Sequence, residues 1–417
     1  ATTTTTTTAT TTTALWAVTH HSANSPCFWY EEPAKTLRVP STFGRAGNGV
    51  EESLHSLNWQ QLQKQRHDNS TPQLVPSFTF EYPGAPTFCA YHPGIPGQPI
   101  RQIPTSLEWD NHVDDKLRLH RLLLSANNTK DLLTPPTFEV NHGLLKSLEA
   151  GQGPGMDDEG HWFLKHRLDS KRPRVHPYGS NTELCKRLKQ MKQSSWKYFV
   201  VQKEIRPPML LRSGRKFVLR AHVLAWVPPI TDTEPNTLRL FLHSNPLVSE
   251  NEASLDATVT GNAWASQPVS ALVLQSGSRK PAYGLNESEE LSCVRVDTLE
   301  QIGSTMAAVF QELHTQHPFE VPSNSSGESE SAKALYNLYG VDFMLDSSGK
   351  VFLLEVNRSP AIATGTRGDA HGCYTELLTQ AMQIMGVTDT NATRCEELIV
   401  PGPGKFGGWR DIYHATL

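Results

Sequence analysis

The chain is expected to fold as an α+β protein, and three observations carry this expectation. Two strand-like runs rich in valine and aromatic residues, Tyr198 to Ile205 and Phe217 to Val227, lie mid-chain. Two shorter runs, Val341 to Leu345 and Lys350 to Val356, are joined by Asp346-Ser347-Ser348-Gly349, a good hairpin turn. Helical periodicity is confined to other segments. Leu299, Ile302, Met306, Val309, Phe310 and Leu313 line one side of a helix predicted over 298–314.

The elements follow in chain order. With 417 residues, two or three packed units are expected. The sequence begins at Ala1 and not at Met, so it is read as a fragment whose true start is missing. Residues 1–75 open with a threonine tract and stay polar and aperiodic, which predicts a disordered, low-complexity segment. Residues 76–150 are expected to form a small amino-terminal unit. Its first part is rich in proline and glycine, hence turns and short extended pieces, and a short helix is predicted over 117–124. A Gly-rich polar joint over 150–160 sets a boundary, and the main domain is placed at 151–385. Within it a polar insert at 323–331 precedes a short predicted helix over 332–339, and a last helix is predicted over 373–385. Residues 386–417 read as a Gly/Pro-rich tail.

Composition excludes several classes. Charged residues are 19% and hydrophobic residues 37%, which rules out a wholly disordered chain and a coiled coil. No apolar run approaches the roughly 18 residues of a membrane span. Six cysteines without a C-x-x-C pair suggest neither a zinc site nor a small disulfide scaffold, so a reduced cytoplasmic compartment is expected. The net charge is only −4, yet residues 161–220 hold 16 Lys and Arg against 3 acidic residues. A basic segment inside an acidic chain points to an anionic ligand there. A solvated surface helix is the competing reading for Lys186, Arg187, Lys189 and Lys192. A nucleic-acid partner is not expected, because aromatics do not interleave with those basic residues.

The most informative segment is Gly340-Val-Asp342-Phe-Met-Leu-Asp346 with Leu353-Leu-Glu355-Val-Asn357-Arg-Ser-Pro360. Strand side chains alternate faces, so Glu355 and Asn357 point the same way. The hairpin is expected to place Asp342 opposite Leu353, on the face of Glu355 and Asn357. Val341, Phe343, Leu345, Phe352, Leu354 and Val356 are expected to face a core. Two buried carboxylates raise each other's pKa unless a cation joins them. All-oxygen ligands suit Mg²⁺, which commonly combines one or two carboxylates with substrate phosphates. A turn or capping role for Asp342, with Glu355 paired to an arginine, is the alternative.

These motifs resemble the tubulin-tyrosine-ligase-like family of the ATP-grasp superfamily. Val201-Gln202-Lys203-Glu204-Ile205 and Gly214-Arg215-Lys216-Phe217-Val218-Leu219-Arg220 are similar to that family's hinge and following strand, and Trp162-Phe-Leu-Lys165 is a weaker third match. The resemblance implies two α+β lobes clasping ATP, and a ligase that adds tyrosine, glutamate or glycine to a protein acceptor through an acyl phosphate. It implies Lys165 and Lys171 on the phosphates, Gln202, Lys203 and Ile205 around the adenine, and Lys216 and Arg220 on phosphate or acyl-phosphate oxygens. It places Asp342, Glu355 and Asn357 on Mg²⁺, with Arg220 and Glu355 as catalytic residues. Tubulin or another acidic protein tail, a free amino acid and a microtubule- or cilium-associated location are the implied partners and place. Val218 stands where the family usually has Asp, Val248 where members acting on amino-acid carboxylates often have Arg, and the segment His166–Arg174 lacks the usual glycines. These departures leave open a nucleotide- or tubulin-binding module without turnover.

Overall fold

The computed structural model describes residues 15–19, 60–61, 78–80, 87–91, 101–102, 112–125, 134–151, 161–168, 175–228, 237–254, 283–285, 288–318, 335–358, 360, 370–385 and 408–416. Lys171, the joint at 152–160 and most of 1–75 lie outside them. The class is α+β, with strands paired mostly antiparallel in three sheets.

A peripheral sheet is built from β1 (Leu15–Thr19), β2 (Gln60–Gln61), β3 (Phe78–Phe80) and β4 (Thr87–Tyr91), in the order β2-β1-β4-β3. Strand β5 (Arg101–Gln102) instead runs parallel to the large sheet described below. Helix α1 (Lys116–Ser125) covers the helix predicted over 117–124.

The small sheet has the order β6-β9-β7-β8, from β6 (Thr137–Glu139), β7 (Trp162–His166), β8 (Val175–Tyr178) and β9 (Phe199–Lys203). Helices α2 (His142–Ala150) and α3 (Asn181–Gln190) pack on one face of it, burying Leu144, Leu148, Trp162, Leu164, Leu184, Leu188 and Val201 together. Both helices start with side-chain caps: Asn141 accepts from Leu144 N and Ser180 from Glu183 N. Gly151 ends α2 at φ 63°, a left-handed position that glycine adopts without a Cβ clash. Lys186, Lys189 and Lys192 are exposed, so the solvated-face reading describes them.

The large sheet has the order β13-β12-β10-β11-β16, with β14 paired to β10, and both β15 and β5 paired to β14. Its strands are β10 (Arg215–Val227), β11 (Thr237–His243), β12 (Leu247–Ser254), β13 (Tyr283–Gly284), β14 (Leu335–Leu345), β15 (Val351–Asn357) and β16 (Trp409–Thr416). Phe217, Leu219, Ala221 and Val223 of β10 and Tyr339, Val341, Phe343 and Leu345 of β14 share one face. They form the main core with Ile302, Met306, Val309, Phe310 and Leu313 of α4 (Arg295–Gln316). Helix α5 (Ala370–Ile384) follows. Among the described residues no helix is long and apolar enough to cross a membrane.

Two expectations are corrected. No helix forms over 335–339; those residues open β14, which is buried along all of its 11 residues. A strand covered on both faces reads as a nearly continuous apolar run, and without alternation it looks helical. The end of the expected tail is also structured, since β16 pairs with β11 along the sheet edge.

Candidate active site

The β14–β15 hairpin turns as expected. Asp346 Oδ1 accepts from Ser348 N at 2.8 Å and Lys350 N at 3.0 Å, and Gly349 sits at φ 84°. The register differs from the expected one. Asp342 lies directly opposite Glu355, while Phe343 pairs with Leu353. The extra residue, Leu354, makes a β-bulge. The bulge puts Leu354 beside Glu355 on the site's side of the sheet. Leu354 packs there with Ile205, Val218 and Met344, with Phe352 against them, and not in the main core. The shared face of Asp342, Glu355 and Asn357 survives this correction, because residues opposite one another project to the same side.

Strand β10 adds the third member. Arg220 pairs across with Asp342, so Arg220, Asp342 and Glu355 form one row over three antiparallel strands. The Arg220 guanidinium grips Asp342 with two hydrogen bonds, Nη2 to Oδ2 being 2.7 Å. The next row is His222, Gly340 and Asn357. A Cβ at residue 340 would lie 2.6 Å from Pro360 Cβ and 3.3 Å from Arg220 Cδ, so a side chain there would clash with Pro360 and press on Arg220. Gly340→Ala is expected to cost about 1–3 kcal/mol through overpacking. Chemical denaturation measures it, and unchanged stability would show that Pro360 yields.

A residue that the sequence reading passed over completes the cluster. Lys116 Nζ, from the start of α1, lies 3.0 Å from Glu355 Oε2, with both side chains buried. Asn357 Nδ2 donates to Glu355 Oε1 at 3.3 Å. Burial alone pushes the Glu355 carboxyl up, but Lys116, with Lys165 and Arg220 behind it, holds it down at about 2. Burial pushes Asp342 up against the pull of Arg220. Burial likewise works against the Lys116 charge, yet Glu355, Asp114 and Asp342 hold its pKa above the ordinary value.

The other wall is the free face of the small sheet. A cleft opens between the sheets, with Phe163, Lys165, Gln202, Lys203, Glu204 and Ile205 on one side. Lys216, Met344 and Leu354 lie on the other. Lys165 Nζ donates to Gln202 Oε1 at 2.5 Å, and Gln202 Nε2 donates to Thr137 Oγ1 at 2.9 Å. Glu204, also passed over in the sequence, binds Lys216 Nζ at 2.6 Å and Arg206 Nε at 2.9 Å. Burial lowers both Lys165 and Lys216 to about 8, against the pull of Glu355 and Glu204 respectively. Of the expected site residues, Arg220, Asp342, Glu355 and Asn357 thus form one cluster. Lys165, Gln202, Lys203, Ile205 and Lys216 line the adjoining cleft.

Arg220 and Lys116 are cations that join the paired acids in the structure. The donor set still fits a hard divalent ion in kind: two carboxylates, an amide oxygen and spare lone pairs on each oxygen. Among the described residues no group of three or more His, Cys, Asp or Glu gathers to hold a metal.

Residues 294–393 match the model of the tubulin-tyrosine ligase family. The match falls on the segment that carries α4, β14, β15 and α5. That segment supplies Asp342, Glu355 and Asn357, while Lys116, Lys165, Lys216 and Arg220 come from outside it. Two α+β lobes facing one another across a cleft are the architecture that the resemblance to ATP-grasp proteins implies. Among solved structures, the C-terminal domain of Pby1 from K. lactis is similar, with TM-score 0.49 and 15% identity over 88% of this chain and 94% of that chain. It is described as an ATP-grasp enzyme interacting with the mRNA decapping enzyme Dcp2. No curated protein matches the chain.

Proposed function

We propose that the protein is an ATP- and Mg²⁺-dependent ligase of the tubulin-tyrosine-ligase-like kind. It joins an amino acid to a carboxylate of a protein acceptor, of which tubulin is the first candidate. The observation that carries this reading is the Arg220–Asp342–Glu355 row, set beside Lys116 and Lys165 and next to an apolar slot floored by Ile205, Met344 and Leu354. The apolar slot is assigned to the flat base, with Gln202 and Lys203 at its edge. The triphosphate then runs toward Lys165, Lys216, Lys116 and Arg220. Asp342, Glu355 and Asn357 would hold magnesium, and the ion would supply charge neutralisation at the phosphates.

The residues of this chain do most of their work by electrostatics and position. An acceptor carboxylate and a nucleotide repel each other, and the buried cations offset that repulsion where water is excluded. Phosphorylation of the acceptor carboxylate makes an acyl phosphate, and an amine attacks its carbonyl with phosphate leaving. Arg220 holds the transferred phosphate oxygens, and Glu355 stays ionised throughout because Lys116 keeps its pKa low. The exposed Lys186, Lys189, Lys192, Lys197 and Arg212 are suited to an acidic tail, in keeping with a cytoplasmic, microtubule-associated protein.

Incubation with tubulin, ATP and labelled tyrosine, glutamate or glycine tests the reading. Incorporation of one of them supports it. A protein that binds ATP and incorporates none favours the second reading, a binding module without turnover. One observation favours that second reading: Val218 is buried with Ile205, Met344 and Leu354 and places no acid where the family usually has one.

The lysine environment adds a pH dependence. Lys165 and Lys216 have pKa values of about 8 against an ordinary 10.5, and phosphate requires their charged forms. Below pH 8 both are largely charged. Above it, binding has to take up protons, so the Kd for MgATP is expected to rise about tenfold or more between pH 7.5 and 9. A Kd constant over that range would mean that neither lysine meets the phosphates.

A further inference from the structure

The start of α1 carries three consecutive charged residues that reach three different places. Asp114 Oδ2 lies 3.4 Å from Arg358 Nε, just beyond β15. Lys116 meets Glu355 within β15. Asp115 instead reaches the small sheet: its Oδ2 accepts from Arg167 Nη2 at 2.6 Å and its Oδ1 from Arg167 Nε at 3.2 Å.

The Asp115–Arg167 contact is built from both sides. Asp115 caps α1, accepting from Leu117 N at 2.9 Å and Arg118 N at 3.3 Å, and is 4% exposed. The Arg167 carbonyl accepts from Lys116 N at 3.3 Å, and Arg167 N donates to Tyr198 O at 2.9 Å. Arg167 Nη1 adds a bond to Lys197 O at 3.3 Å. One arginine thus ties the end of β7, two residues beyond Lys165, to the helix start that delivers Lys116 to Glu355. Each lobe's phosphate-side cation is anchored to the same joint.

We propose that Asp115 and Arg167 are positioning residues: their bidentate pair is a strut between the two lobes that fixes the spacing of Lys165 and Lys116 across the cleft. Neither residue lines the slot or the carboxylate row. They act through Lys116 and Lys165, setting how well a triphosphate is gripped and leaving the base end alone. The inference rests on the nucleotide-binding reading above.

The test compares the wild-type chain with Arg167→Gln, Arg167→Lys and Asp115→Asn by calorimetric titration with MgATP and, separately, with AMP. Wild type is expected to bind MgATP; if it does not, the functional reading itself fails. Arg167→Gln is expected to weaken MgATP about tenfold and AMP less than about twofold, with Arg167→Lys falling between. A strut that served stability alone would lower the unfolding midpoint and leave the ATP-to-AMP affinity ratio at its wild-type value, and that result overturns the proposal. Should Arg167→Gln fail to fold, Asp115→Asn carries the same comparison, because its amide oxygen still caps α1.

Discussion

Replacing Arg220 with alanine is expected to cost about 3–5 kcal/mol of stability and to abolish nucleotide-dependent turnover. Asp342 is 3% exposed, and both of its oxygens are held by the Arg220 guanidinium. Taking that partner away leaves a buried acid facing Glu355, the one neighbour that repels it. The pair as a whole contributes far less than the loss of one member suggests, since both ions must be stripped of water to form it. Arg220→Met combined with Asp342→Leu is therefore expected to recover most of the lost stability, to within about 1–2 kcal/mol of wild type, while turnover stays absent. Urea unfolding of the single and double variants separates the two roles. A single variant as stable as wild type would show that Asp342 does not depend on this partner.

The second large effect concerns Glu355. Glu355→Gln keeps the shape but removes the charge that Lys116 faces, and it withdraws one of the two carboxylates proposed to hold the metal. Turnover is expected to fall by about a thousandfold or more, the scale seen when an electrostatic group aimed at reacting atoms is lost. Stability responds with a definite sign. Glu355 has a folded pKa of about 2 against an ordinary 4.5. Its contribution, on the order of 3 kcal/mol, is complete above pH 4.5 and is lost as pH falls toward 2. Asp342 works in the opposite sense, because burial raises its pKa above 3.8 and its share of stability declines as pH rises through that window. The glutamine variant should thus be less stable at pH 7 and show a shallower loss between pH 4.5 and 2. Denaturation midpoints across that range check it. An unchanged acid profile would mean that Glu355 is not held by Lys116.

Much of this site was legible in the residues, for a physical reason. Strand alternation puts Glu355 and Asn357 on one face whatever the fold around them, and the Asp346–Gly349 turn forces the two strands together. The bulge at Leu354 was not legible, because an extra residue in one strand leaves no mark on the apolar pattern: Phe352 and Leu354 are as hydrophobic as true core residues. The start of β14 was misread for a related reason, its burial on both faces erasing the period of two. Lys116 and Glu204 were invisible for another. Their importance lies in partners 239 and 12 residues away across a tertiary contact, and a lysine at a helix start or a glutamate after a strand is ordinary by itself. The Asp115 cap could have been read from Asp114-Asp115-Lys116 before an apolar run, but its second partner, Arg167, could not.

The central claim is that Arg220, Asp342 and Glu355, facing Lys116 and Lys165, form a seat for a metal-bound triphosphate. Calorimetric titration of ATP into wild type and Glu355→Gln, with and without Mg²⁺ at pH 7.5, tests it most directly. A single site is predicted in wild type, tightened by Mg²⁺, with that tightening lost in the variant. Equal Mg²⁺ dependence in the two proteins, or no binding to wild type, would contradict it.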